Sequence, residues 1–314
     1  CVGSVDPTPE VETSPNAAHA WNDFFVELED LPLIEHEDGF QMSYYQNEEW
    51  DDNAHELRER TAPLVAQARG IATMEHCDWE LDYSQGFDLL LPHLGHLQEV
   101  QRMLRYSMLG EMDRGNISSA MSDMNAMLGI TQHHTESKIL IGSLVAASSF
   151  KMVRMESAII DSVTDAGQLE TLLVSVEEFE AFDPFGIRAN VGNEKESTLH
   201  WLQNTENPDF SIFQSITGEQ VDTSNLDMDE EIQRYSFAME KMETIFQMTD
   251  KEEALTAAAQ LDQQLQDGGI GFLASVLSPS ATNLLESAFR AEERVTDFKQ
   301  LLKDKIDMLR NPNS

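Results

Sequence analysis

Cysteine is almost missing from this chain, which has two, Cys1 and Cys77, among 314 residues. A fold with so few cysteines is held by packing and not by a disulfide framework. Long apolar runs are missing too. The nearest candidate, 139–150, falls short of the roughly 18 residues that cross a bilayer and carries Ser143, Ser148 and Ser149, so no transmembrane helix is expected. Basic residues are scarce: 20 Lys and Arg stand against 57 Asp and Glu, a formal charge of -37. That surface repels phosphate backbones and anionic lipid headgroups, which excludes nucleic acid as a partner. The chain also has no P-loop, no G-x-G-x-x-G, no G-x-S-x-G, no C-x-x-C pair and no H-E-x-x-H or E-x-x-H pattern. Neither a phosphate-cradling loop nor a nucleophile elbow is signalled.

What is present is enough apolar material for a core. Hydrophobic residues make up 41% of the chain, and its length suits one large domain or two small ones. The acidity is uneven. Fifteen Asp and Glu precede the first basic residue, Arg58, and fifteen more lie from Glu206 to Asp267 against Arg234, Lys241 and Lys251. Bases gather near the end, at Arg290, Arg294, Lys299, Lys303, Lys305 and Arg310. Such a surface suits loosely bound divalent cations (calcium above all), basic partners, or a salty medium that screens the self-repulsion. A negative front and a balanced tail can pair with a neighbouring copy or within one chain.

Residues 1–16, with Pro7, Pro9 and Pro15 among small polar neighbours, read as a solvated tether. Residues 17–314 read as a single helical domain, with a seam expected in the polar stretch 204–226. From Ala17 apolar residues recur at three- and four-residue steps: Trp21, Phe24, Phe25 and Leu28 make one face. The stretch 50–74 makes another with Leu57, Leu64, Val65, Ala68 and Ile71, and Pro63 inside it predicts a kink or two shorter helices. A loop or short helix follows from Cys77 to Pro92. One helix is predicted over His93–Glu111, with Leu94, Leu97, Val100, Leu104 and Met108 inward. After the turn Asp113-Arg114-Gly115-Asn116, Ile117, Met121, Met124 and Leu128 mark the next. A third spans 136–163 with Ile141, Val145, Met152, Met155 and Ile159 on its inner stripe. Further helices are expected up to Glu180 and over 194–203, 227–248, 254–266 and 279–309. No strand pair is signalled, so the fold class is all-α, built of antiparallel helical hairpins.

The run Gly110-Glu111-Met112-Asp113-Arg114-Gly115-Asn116-Ile117-Ser118-Ser119-Ala120-Met121 resembles the helix–turn–helix of TPR-like repeats. There a small residue of the first helix faces an alanine of the second across a Gly-containing turn. With Leu128, His133-His134 and the stretch Leu140-Ile141-Gly142-Ser143-Leu144-Val145, it is similar to uncharacterised TPR-like helical proteins common in planctomycete bacteria. The resemblance covers about 93–165 and extends to 269–310, where Leu277-Ser278-Pro279 precedes a long helix. It implies an irregular TPR-like α-solenoid or a helical bundle, without a clean 34-residue period, and it implies no activity and no site residue. The N-terminal segment carries a second resemblance. Cys1 followed by Val2-Gly3-Ser4-Val5-Asp6-Pro7-Thr8-Pro9-Glu10 resembles the mature end of a bacterial lipoprotein. That implies lipidation at Cys1 and an extracytoplasmic, membrane-anchored location, periplasmic or at the cell surface. Cys77 is then left alone, with no internal disulfide.

Metal-ligating residue types fall in small groups. His93 and His96 stand three apart on a predicted helix start, a spacing that can bring two imidazoles to one metal. His76-Cys77-Asp78 and His133-His134 are adjacent. Asp222, Asp227 and Asp229, with Glu230 and Glu231, offer the hard oxygen ligands that calcium takes, but without the ligand order or glycine of an EF-hand. The same acids also suit the first turn of a helix. Met103, Met108, Met112, Met121, Met124 and Met127 fall within 25 residues and make either a core or an adaptable groove. No cofactor is called for. The expected function is a non-enzymatic, lipid-anchored interaction or structural subunit of a cell-surface or envelope assembly, bound to a protein partner or to copies of itself. The alternatives are a TPR-like scaffold that takes a peptide or partner helix in an apolar groove lined by Met103, Met108, Met121 or Met124, and a metal-dependent enzyme that uses the histidines.

Overall fold

The computed structural model describes residues 15–29, 52–205 and 226–311. All regular structure among them is helical. Cys1, nearly all of the tether, Asp222 and most of the expected seam lie outside the described residues. In chain order the elements are α1 (Ala17–Glu29), α2 (Asp52–Ala72), a 3-10 segment η1 (Tyr83–Asp88), α3 (Pro92–Asp113), α4 (Ile117–Thr135), α5 (Leu140–Met155) and α6 (Ala158–Ser162). They continue with α7 (Ala166–Glu177), α8 (Asn190–Asn204), α9 (Met228–Phe246), α10 (Lys251–Gln266), α11 (Phe272–Leu277) and α12 (Ala281–Arg310).

The hairpin α3–α4 is set by its turn. Gly115 takes a left-handed φ of 75°, which only glycine adopts without strain. The N–H of Gly115 then donates to Met112 O at 2.9 Å and that of Asn116 to Glu111 O at 2.7 Å, closing the end of α3 as a Schellman motif. So short a turn folds α4 back along α3, the most extensive helix–helix contact among the described residues. α4 also meets α2, α5, α6 and α7, and it is buried without interruption from Ala126 to Thr131. Small residues make room for this. A Cβ on Gly129 lies 2.0 Å from the carbonyl oxygen of Ala72 at the end of α2, so only glycine lets the two backbones meet.

The same economy of size corrects the stripe expected on α5. Ile141 and Met155 are exposed and Val145 and Met152 half-buried, while Gly142, Ser143, Ala146, Ala147, Ser149, Phe150 and Val153 face inward. Small side chains bring α5 close to α4, and the larger apolar ones are left at the rim. The expected single helix over 136–163 is in fact α5 and α6, separated by a turn at Glu156–Ser157. Pro63 neither ends nor divides α2, which runs unbroken for 21 residues. Pro63 lies on the exposed face, so the hydrogen bond it cannot donate is missing on the side that water reaches. Leu64, Val65, Ala68 and Ile71 are buried as expected, and Leu57 is half-buried.

α12 returns the chain to its middle: it packs on α5, α6, α7 and α10. Phe298 of α12 meets Phe150 of α5 edge-on at 5.8 Å, and Phe179 and Phe185 complete the cluster at 5.4–5.5 Å. Contacts between helices this far apart in sequence depart from a regular solenoid, in which each repeat touches only its neighbours, within the all-α helical packing that was expected. Arg188, just before α8, ties the two parts of the bundle. Its side chain is 1% exposed, bonds Glu292 of α12 at 2.9 Å and the carbonyl of Phe246 at 2.9 Å, and lies between the rings of Phe182 and Phe289. Arg58–Glu111, Arg69–Asp123 at 2.7 Å and Arg105–Glu156 at 2.6 Å link α2 to α3, α2 to α4, and α3 to the α5–α6 turn.

Two glycines give opposite expectations. Gly129→Ala forces α2 and α4 apart and is expected to cost about 2 kcal/mol or more. Gly70→Ala, an exposed helical position with nothing within 4 Å, is expected to gain about 1 kcal/mol. Urea unfolding of the two variants checks this; equal effects contradict the close α2–α4 approach.

Candidate functional site

His93 and His96, expected as a metal pair, each pack against an aromatic ring. His93 is buried on α3, with Nε2 2.9 Å from Ser137 Oγ and its ring stacked on Trp79 at 4.3 Å. Burial, then His96, brings its pKa down to about 4. His96 packs against Phe25 of α1 at 4.8 Å. The two rings are thus used for packing on different neighbours. Asp227 is the N-cap of α9 and accepts from Glu230 N–H at 3.2 Å, and Asp229 is exposed in the first helical turn. Glu231 is buried and accepts from Leu273 N–H at 2.8 Å, at the start of α11. These acids serve helix ends. Among the described residues no three His, Cys, Asp or Glu side chains come together as metal ligands. Cys77 is buried, and burial, with Glu136 and Asp78 nearby, pushes its thiol up to about 12, so it stays protonated.

His133 and His134 have unequal roles. The indole N–H of Trp21 donates to His133 Nδ1 at 2.8 Å, so Nδ1 is the acceptor and Nε2 carries the proton, which it gives to Met74 O at 2.8 Å. His133 therefore fastens α1 and the end of α2 to α4 as a neutral ring, and burial lowers its pKa. His134 is fully buried, and neither of its ring nitrogens has a hydrogen-bond partner among the described residues. Burial takes its pKa down to about 3. The methionine groove is absent as well: Met103, Met108, Met121 and Met124 are 1%, 0%, 5% and 0% exposed and belong to the core.

An apolar cleft lies elsewhere among the described residues. η1 is held against α8 by Ser197 Oγ donating to Tyr83 O at 2.7 Å, while Tyr83 OH donates to Ser137 O at 2.9 Å. Gly86 turns with φ 51°, and Trp201 fills the place a side chain would take, 2.4 Å from an added Cβ. Phe87 then meets the Trp201 ring edge-on at 5.2 Å. This arrangement leaves a half-open cleft of about 400 Å³ between η1, the first turns of α5, α8 and the α11–α12 junction. Phe87, Leu91, Ile141, Leu144, Leu277 and Leu284 supply most of its apolar wall. Phe87 and Ile141, at its edge, are 37% and 48% exposed, and neighbouring Leu90 is 81% exposed.

One ionisable side chain lines the cleft, Glu194 of α8. Its carboxyl accepts a hydrogen bond from the Leu140 N–H in the first turn of α5, a helix whose own N-cap, Ile139, has no capping side chain. Burial outweighs that bond and raises the Glu194 pKa. Ser197, Thr198 and Ser278 add hydroxyls, and Ser278 Oγ is buried with no hydrogen-bond partner among the described residues. The cleft residues come from four stretches, near 86–91, 139–144, 194–198 and 276–284, and no local spacing announces them. The one signal was Ile141, apolar on a helix face where small residues take the core.

Fold and cleft together define an all-α helical protein with a half-open apolar cleft that holds one carboxyl group. Set against known proteins, the chain matches no family model, no curated protein and no solved structure.

The buried histidines predict a pH response. His93 and His134 titrate near 6.5 when unfolded but only near 4 and 3 when folded. Below pH 6.5 the unfolded chain binds protons that the native one refuses, so stability is full above that pH and falls as pH drops towards 4. His134→Leu removes one such group and an unsatisfied buried ring. It is expected to gain about 1 kcal/mol near pH 7.5 and to flatten the acid decline by up to about 1.4 kcal/mol per pH unit. Thermal melts from pH 7.5 to 4 read both; an unchanged slope contradicts the assignment.

Proposed function

We propose that this protein works by binding: it is a helical interaction protein that seats part of a protein partner in the cleft between η1, α5, α8 and the α11–α12 junction. One observation carries this reading. Phe87 and Ile141, two of the large apolar side chains left exposed, line one apolar concavity, and exposed Leu90 stands in the chain between two further lining residues, Leu89 and Leu91, on a chain of charge -37. Exposed apolar surface concentrated at a pocket marks interaction sites. The groove once expected along the methionines is replaced by this one, formed by other residues. The role as a subunit of an extracytoplasmic assembly, anchored by a lipid on Cys1, belongs to the same proposal; it is supported by the sequence of residues 1–10 alone. The mass of the native N-terminal peptide reads it: an acyl increment on Cys1 is expected, and an unmodified cysteine contradicts it.

The cleft itself is tested with a neutral apolar fluorophore. Nile red is expected to bind the full chain at a single saturable site. Leu144→Trp, which fills the cleft from α5, is expected to weaken that binding about ten-fold or more while leaving the helical signal intact. No saturable binding, or binding indifferent to Leu144→Trp in a folded variant, contradicts the reading.

A further inference from the structure

The cleft combines an apolar wall with a single carboxyl group, and this combination specifies more than apolar binding. Among the described residues no Lys, Arg or His lines it. The nearest base in sequence, Lys195, is already paired with Glu243 at 2.8 Å. Glu194, half-buried, thus lines the cleft with the Leu140 N–H as a partner and no cation among the described residues of the wall. A half-buried carboxylate keeps lone pairs for a further donor, and in an apolar setting the group that stabilises it most is a cation with N–H donors. The exterior, at -37, draws cationic groups towards it.

We infer that the cleft selects a lysine side chain of the partner, its aliphatic stem lying along Phe87, Leu91 and Leu144 and its ammonium bonded to Glu194. The inference rests on the binding role proposed above. A volume of about 400 Å³ takes one long side chain with its flanking residues and excludes a whole helix. A lysine stem is apolar and its head is a compact point charge, which matches a single carboxylate better than the planar fork of arginine does. The capping bond from Leu140 is retained, because an ammonium needs only the free lone pairs of the carboxylate.

Displacement of Nile red from the full chain tests the chemistry. The probes are n-hexylammonium, 1-hexanol and hexanoate, with acetyl-Leu-Lys-Leu-amide and its norleucine counterpart for the source. Hexylammonium is expected to compete about ten-fold better than hexanol, with hexanoate weaker than both, and the lysine peptide is expected to surpass the norleucine one by a similar factor. Glu194→Gln keeps an acceptor for Leu140 and is expected to remove the ammonium advantage while hexanol is unaffected. Equal competition by hexylammonium and hexanol, or an ammonium advantage untouched by Glu194→Gln, overturns the inference and leaves the apolar cleft standing. Competition by the amine but not by the lysine peptide overturns the assignment to a protein side chain. Absence of Nile red binding removes the binding role itself.

Discussion

The structure depends on one helix being surrounded. α4 meets α2, α3, α5, α6 and α7, and six consecutive residues from Ala126 to Thr131 are buried. An α-helix can lie inside other helices only where its side chains are apolar or satisfied and, at the closest crossings, small. Both conditions hold along most of α4; the exceptions are the His134 ring and Asp123 Oδ2, buried without a hydrogen-bond partner among the described residues. Met121, Met124, Met127 and Leu128 fill the space around it, and unbranched methionines adapt to irregular gaps. Gly129 admits the backbone of α2 at Ala72, and the small inward residues of α5 admit α5. Thr131 Oγ1 returns its hydrogen bond to Met127 O at 2.9 Å, and His133 is satisfied at both ring nitrogens. The rest of the bundle is layered on this strut.

The acidity of the chain shapes what surrounds that core. With few bases available, several are placed where one cation joins distant elements. Arg188 joins the start of α8, the end of α9 and α12, and Arg69 joins α2 to Asp123 and Ser119 of α4. Such buried pairs are costly to break from one side, because the remaining charge is left uncompensated. Lys251–Glu293, Arg290–Glu286 and Lys303–Glu177 are exposed and contribute little. Glu194 stands apart from both groups: it is a carboxyl turned into an apolar cleft, with a helix end as its recorded partner. In so acidic a protein a carboxylate on the surface is unremarkable, whereas one inside an apolar cavity is a chemical signal.

Much of the fold was legible in the sequence, because helical periodicity reports burial directly. α1 and α3 have the inward residues that spacing predicts, α4 has them but for half-buried Ile117, and the Gly115 turn is found where its residue types place it. The failures share a cause. On α5 the large apolar residues were taken for the inner face, yet close helix approach puts glycine, serine and alanine there. Pro63 predicted a kink or two shorter helices, and at its exposed position α2 stays one helix. The site was less legible than the fold. The paired histidines and clustered acids are local patterns; His93, His96 and His133 pack against aromatic rings, and Asp227 caps α9. The cleft is assembled from four distant stretches, which only the return of the chain brings together.

The most direct test of the central claim is native-state amide hydrogen exchange of the full chain, resolved by helix. If the bundle is built around α4, the amides of 121–131 exchange only through global unfolding and are the slowest in the protein, and those of α8 and α10 open earlier. Exchange of 121–131 through a local opening, ahead of α8 or α10, contradicts the account.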